Sequence, residues 1–267
     1  SRKNGCNNEN KKLMSIIEAI IIGLVQGLTE FLPISSSGHL VILQKLLKIN
    51  LPGNLIEVFT HLGTLLSIIL IYRNDIYDLI ISFKSSKTKY YIIIVAIATI
   101  PSVVFVLIAK SLILTLFESS RSVSFALIFT GIILFISYYG DYTIKKLNIS
   151  KGLIIGIFQA LAILPGISRS GMTISIALLL GIKYVDAAKF SFMLAIPAIF
   201  GATILTLIET DLNEIDDLIF PLITAAFIAF LSGYYALKFL IKILNNGKFY
   251  YFSIYCIFLG IISLLYL

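Results

Sequence analysis

Ile21-Ile22-Gly23-Leu24-Val25-Gln26 runs on to Pro33-Ile34-Ser35-Ser36-Ser37-Gly38, and Ile154-Ile155-Gly156-Ile157-Phe158-Gln159 runs on to Gly166-Ile167-Ser168-Arg169-Ser170-Gly171. Aligned without a gap at an offset of 133, residues 21–38 and 154–171 are identical at nine of eighteen positions. Each copy is an apolar helical run that breaks into a Ser/Gly turn. A shorter apolar helix then follows, over 39–48 in the first copy and 172–182 in the second. The differences are chemical: Glu30 and His39 occur only in the first copy, Arg169 and Thr173 only in the second. Two similar scaffolds thus hold complementary groups.

The chain around these copies is 58% hydrophobic and 13% charged, with a mean hydropathy of +0.99 over 267 residues. A soluble globule carries about 25% charged residues, so the composition reads as an all-α polytopic membrane protein. Apolar stretches near 55–72, 91–109, 123–139, 188–208, 218–240 and 249–267 approach the roughly 17–25 residues that cross a bilayer. The repeat regions, beginning at 13–32 and 152–164, are interrupted by Gly and Pro. Irregular backbone survives at membrane depth only when buried in protein or lining a cavity, which predicts re-entrant hairpins. The expected architecture is six transmembrane helices plus two re-entrant helical hairpins. All lie in one membrane domain, 13–267, preceded by a polar tail, 1–12, with the first repeat over 13–139 and the second over 152–267.

The apolar run after Lys11 and Lys12 contains Glu18, Gln26 and Glu30 and has no small-residue cleavage site, so it is not read as a signal peptide. Cys6 and Cys256 show neither ligand spacing nor a disulfide framework.

The net charge of +7 is read as topology rather than as a nucleic-acid footprint. Six spans and two hairpins put twelve Lys/Arg, from Arg73 to Lys248, on one side. Eight lie on the other, or four without the tail, beside the acidic loop containing Glu209, Asp211, Glu214, Asp216 and Asp217. The first side is then cytoplasmic and both termini face outward. Three spans separate the hairpins, so the repeats have inverted topology, a transporter-like plan with its site at their interface.

Ser35, Ser36, Ser37 and Gly38 open one helix, and Ser168, Arg169, Ser170 and Gly171 open the other. Helix N-termini carry unpaired N–H groups and partial positive charge, so two aimed at one point make an anion site, and the obvious anion is phosphate. Arg169 adds planar donors suited to phosphate oxygens. Gln26, Glu30 and Glu18 share a helical face, with Glu18 three turns from the turn. A carboxylate beside phosphate calls for an intervening divalent cation, Mg²⁺ or Ca²⁺, with Glu30 and Gln26 as its ligands. His39 could accept a serine proton, protonate a leaving oxygen or attack phosphorus itself. His61 reads as a buried polar contact between helices. The GxxxxGK[ST] loop is absent, and phosphoryl transfer at a membrane-borne ester or anhydride is the leading chemistry.

Gln26-Gly27-Leu28-Thr29-Glu30-Phe31-Leu32-Pro33-Ile34-Ser35-Ser36-Ser37-Gly38-His39 and Leu164-Pro165-Gly166-Ile167-Ser168-Arg169-Ser170-Gly171-Met172-Thr173 resemble the two signatures of bacterial undecaprenyl-diphosphate phosphatases, the bacitracin-resistance proteins. The resemblance extends over essentially the whole chain. It implies hydrolysis of undecaprenyl diphosphate to undecaprenyl phosphate and phosphate, a divalent-cation requirement, and a site reached from outside. By motif position it implies Glu30 as metal ligand, Ser36 as nucleophile and His39 as its activator, although schemes with His39 as nucleophile also exist. It gives Ser168, Arg169 and Thr173 to the diphosphate, with Ser35, Ser37 and Ser170 as further turn donors. Gln26 departs from members with Glu there, which weakens a two-carboxylate metal site. Expected partners are the polyprenyl diphosphate lipid, membrane lipids and a second copy in a homodimer, with no nucleic acid. The expected location is the bacterial inner (plasma) membrane, with the active site facing outside or the periplasm. The competing reading is a transporter or flippase of a phosphorylated lipid, which the same architecture would serve.

Overall fold

The computed structural model describes residues 14–47, 55–140, 146–209 and 218–266. The polar tail with Cys6, and Asp211, Glu214, Asp216 and Asp217 of the acidic loop, lie outside the described residues. Within them all regular structure is helical. The first hairpin is α1 (Ile16–Phe31), a break at Leu32–Ser35, and α2 (Ser36–Leu47). Between the hairpins come α3 (Leu55–Ile71), α4 (Arg73–Ile81), α5 (Ser86–Glu118) and α6 (Ser120–Ile136). The second hairpin is α7 (Ile149–Leu161), a break, and α8 (Arg169–Leu179), followed by α9 (Tyr184–Glu209), α10 (Ile219–Asn245) and α11 (Phe252–Tyr266).

Chain order repeats at the offset of the sequence alignment. Ile16, Ser36 and Ser86 open α1, α2 and α5; Ile149, Arg169 and Ile219, each 133 residues on, open α7, α8 and α10. The packing exchanges partners in the same way: α1 lies along α10, and α7 lies along α5. Equivalent glycines make both approaches close. A Cβ on Gly23 would sit 2.5 Å from the Ala225 carbonyl oxygen, and one on Gly156 would sit 2.2 Å from that of Ala98. Small residues that let backbones touch are the usual basis of helix association where lipid removes the hydrophobic drive.

Among the described residues, five helical segments are long and apolar enough to cross a membrane: Ser86–Ala109, Ser120–Tyr139, Tyr184–Thr206, Ile219–Asn245 and Phe249–Tyr266. The sixth expected span, 55–72, is not straight. The chain bends by 72° between α3 and α4, and the pair counts as a span only if taken together. Tyr72 leaves helical geometry at φ −97°, ψ 18°, where the apolar run gives way to Arg73-Asn74-Asp75. No residue of α4 is buried. Burial ends at the charged cluster, and α4 leaves α3 at that angle. The span expected over 91–109 also overruns its end: α5 continues to Glu118 through a kink at Ala109, where φ is −106° and ψ is 18°.

The N-terminus of α1 explains Glu18. Its carboxylate accepts the Ser15 backbone N–H at 2.8 Å while the Ser15 hydroxyl accepts the Glu18 N–H at 3.2 Å, a capping box. Glu30 lies at the opposite end of that helix, about 18 Å away at 1.5 Å per residue.

Candidate active site

The two breaks are built alike. Ser35 Oγ accepts the Gly38 N–H at 3.2 Å, and Ser168 Oγ accepts the Gly171 N–H at 3.1 Å. Hydroxyl pairs repeat too, with Ser35–Ser37 at 3.3 Å and Ser168–Ser170 at 3.2 Å. These are N-terminal caps that leave other first-turn N–H groups available. The breaks also meet reciprocally: a Cβ on Gly38 would lie 3.2 Å from Gly166 Cα, and one on Gly171 would lie 3.3 Å from Pro33 Cβ. Pro33 and Gly166 are equivalent positions, as are Gly38 and Gly171, so the contact has the reciprocity of two-fold-related copies.

The copies differ in how they turn. Ser35 has φ +66°, left-handed backbone for a non-glycine residue, which costs about 1–3 kcal/mol and tends to mark functional positions. The second copy places its left-handed residue at Gly166, φ +93°. Thr130 on α6 holds that turn, donating to the Gly166 carbonyl and accepting the Ser168 N–H, both at 3.1 Å. The thiol of Cys256 on α11 reaches the Pro33 carbonyl of the first turn at 3.4 Å.

Glu30 sits where the copies join. Its Oε1 accepts Arg169 Nη2 at 2.6 Å; its Oε2 accepts the Ser36 hydroxyl at 2.6 Å and Gln26 Nε2 at 3.0 Å. Ser36 and Arg169 are the same position in the two copies, 133 residues apart. The meeting of the two breaks therefore brings both helix-start residues to one carboxylate, supplied by the first copy alone. The Glu30 side chain is 5% exposed and that of Arg169 15%, so the pair is held out of water. Phe31, next along α1, closes the inner side, its ring edge-on to Phe192 of α9 at 5.7 Å.

Two polar atoms of this cluster are buried without a hydrogen-bond partner: Arg169 Nη1 and Gln26 Oε1. Buried polar groups are ordinarily satisfied, so both are open positions for a ligand. An oxygen from Gln26 beside a carboxylate suits a hard divalent cation, which takes one or two protein oxygens and completes its shell from phosphate and water.

His39 lies one turn after Ser35 on α2, where its Nδ1 donates to the Ser35 carbonyl at 2.8 Å and its Nε2 accepts the Tyr255 hydroxyl at 2.7 Å. The Ser36 hydroxyl is paired with Glu30 rather than with that imidazole. Thr173 is fully buried, its hydroxyl donating to the Arg169 carbonyl at 2.8 Å and meeting Ser191 Oγ of α9 at 2.6 Å. It steadies the first turn of α8. Ser170 reaches across to the Leu32 carbonyl at 3.4 Å, tying the second copy to the first.

His61 is the residue that sequence reasoning undervalued. It does bridge helices, but its partner is Glu30: Nε2 lies 3.3 Å from Oε2. The available signal was its place in the apolar, Thr-flanked run Phe59-Thr60-His61-Leu62-Gly63-Thr64, where an ionisable side chain at membrane depth marks function by default.

The fold and the cluster together define a multi-pass helical membrane protein with a buried polar cluster between two broken helices. The family described as bacitracin resistance protein BacA matches residues 19–262, and the chain belongs to that family. It is 40% identical over 258 residues to an undecaprenyl-diphosphatase of Halothermothrix orenii, covering 94% of this chain and 98% of the relative. It is 41% identical over 254 residues to an undecaprenyl-diphosphatase of Carboxydothermus hydrogenoformans, with 93% and 96% covered. The undecaprenyl-diphosphatase 2 of Bacillus thuringiensis is 38% identical over 265 residues, with 94% and 98% covered.

Proposed function

We propose that this chain hydrolyses undecaprenyl diphosphate to undecaprenyl phosphate and inorganic phosphate, returning the lipid carrier to cell-wall synthesis and so conferring bacitracin resistance. The observation that carries the chemistry is the Glu30 carboxylate, gripped on one oxygen by Arg169 and on the other by the Ser36 hydroxyl. The full-length likeness to undecaprenyl-diphosphatases supplies the lipid.

In this reading the diphosphate lies across the two helix starts, and Arg169 Nη1, unpartnered in the protein, donates to a phosphate oxygen. Glu30 takes the Ser36 proton over the existing 2.6 Å hydrogen bond as Oγ bonds to the terminal phosphorus. The bond from that phosphorus to the bridging oxygen breaks, and undecaprenyl phosphate leaves with the electron pair. Water then cleaves the seryl phosphate, releasing phosphate and restoring the hydroxyl. The guanidinium and the first-turn N–H groups stabilise the charge gathering on the phosphoryl oxygens. Glu30 and Gln26 would hold a divalent cation, Mg²⁺ or Ca²⁺, which when bound supplies further charge neutralisation at those oxygens.

The charge distribution supports a bacterial inner (plasma) membrane protein with its basic loops in the cytoplasm, and the family likeness supports a site reached from outside. The experiment for the reaction is phosphate release from detergent-solubilised undecaprenyl diphosphate. One phosphate per lipid is expected; binding of the lipid without release would favour a carrier and contradict hydrolysis.

A further inference from the structure

His61 has no role in the scheme above, yet it touches the carboxylate at its centre. Nδ1 of His61 lies 2.5 Å from the Glu57 carbonyl oxygen. A carbonyl only accepts, so Nδ1 carries the ring proton. Nε2 then faces Glu30 Oε2 at 3.3 Å. In a neutral imidazole that nitrogen is a lone pair directed at another lone pair, so the two atoms need either a proton on Nε2 or a cation shared between them.

Three observations fit a metal cation in that place. A histidine that ligates a metal regularly gives its other N–H to a backbone carbonyl, as Nδ1 does here. Metal–nitrogen and metal–oxygen bonds of ~2.0–2.2 Å, set 90–109° apart, leave their donors about 3.0–3.5 Å from each other, and 3.3 Å lies in that interval. Gln26 Oε1, on the residue that donates to the same Glu30 oxygen, is buried without a partner. The His61 side chain is 27% exposed, against 5% for Glu30, so the cluster is less enclosed on the imidazole side.

We infer that His61 is a third ligand, through Nε2, of a divalent cation held with Glu30 and Gln26. The inference rests on the reading of Glu30 and Gln26 as cation ligands. It replaces the carboxylate that Gln26 does not provide with an imidazole from α3. Imidazole nitrogen shifts preference away from Ca²⁺ and towards cations that accept nitrogen, such as Mn²⁺.

Tag-free protein in detergent, titrated with Mn²⁺ and followed by electron paramagnetic resonance, tests this. The chain has two histidines, so nitrogen coupling can be assigned with two variants. Bound Mn²⁺ is expected to show imidazole ¹⁴N coupling in the wild type and in His39→Gln, and to lose it in His61→Gln. The same His61→Gln variant, which keeps an oxygen donor and a folded elution profile, is expected to bind Mn²⁺ at least ~10-fold more weakly while its affinity for Ca²⁺ changes little. Absence of nitrogen coupling in the wild type, its survival in His61→Gln, or unchanged Mn²⁺ affinity in that variant would overturn the assignment. Phosphate release by the wild type is measured separately, so the ligand assignment can fail while hydrolysis stands, and the reverse.

Discussion

Glu30→Gln is expected to lower phosphate release from undecaprenyl diphosphate by about 10²–10⁴-fold, the usual contribution of a general base. The amide keeps the shape of the side chain and can still accept from Ser36, but it cannot take the proton that must leave Oγ as phosphorus is attacked. It also removes the charge that faces Arg169 at 2.6 Å. Because the loss is in the chemical step, kcat should fall while the lipid continues to bind. A variant that kept its rate would mean that the Ser36–Glu30 hydrogen bond plays no part in proton transfer.

Arg169→Ala carries the second large effect, and it has two parts. Removing one partner of a buried ion pair leaves the other uncompensated, which destabilises by about 3–5 kcal/mol; Glu30, 5% exposed at its side chain, would be that residue. Thermal unfolding in detergent should report this as a lowered midpoint. Catalysis should fall as well, by about 10²–10³-fold, the scale seen when a fixed donor to a developing oxyanion is removed. Pairing the substitution with Glu30→Gln separates the parts. The double variant recovers stability because no unpaired carboxylate remains, while activity stays lost. A double variant no more stable than Arg169→Ala would place the origin of the instability elsewhere.

Much of this organisation is legible in residues 21–38 and 154–171. Identical Ser/Gly positions became equivalent caps, Ser35 with Gly38 and Ser168 with Gly171, because capping is local and depends on three-residue spacing. The meeting of Glu30 with Arg169, 139 residues apart, was implied only through the repeat: two similar broken elements had to face each other somewhere. The bend at Tyr72 was not legible, since hydropathy reports where burial ends but not the direction the chain then takes. The pairing of Ser36 was obscured for a related reason. His39 is its near neighbour in sequence, but the ring turns to Tyr255, 216 residues away on α11, whereas Glu30 reaches the hydroxyl across the break between α1 and α2. His61 illustrates the same limit, as its partner lies on another helix and no local pattern names it.

Hydrolysis in this scheme depends on Ser36 as the hydroxyl that Glu30 activates. Its most direct measurement is phosphate release by purified Ser36→Ala, beside wild type and His39→Ala, on the same solubilised undecaprenyl diphosphate. The predicted result is release at the uncatalysed background from Ser36→Ala, with His39→Ala retaining measurable turnover because its ring nitrogens are engaged by the Ser35 carbonyl and Tyr255. Wild-type turnover by Ser36→Ala together with loss in His39→Ala would contradict it, and would move the attack on phosphorus from the serine to the imidazole.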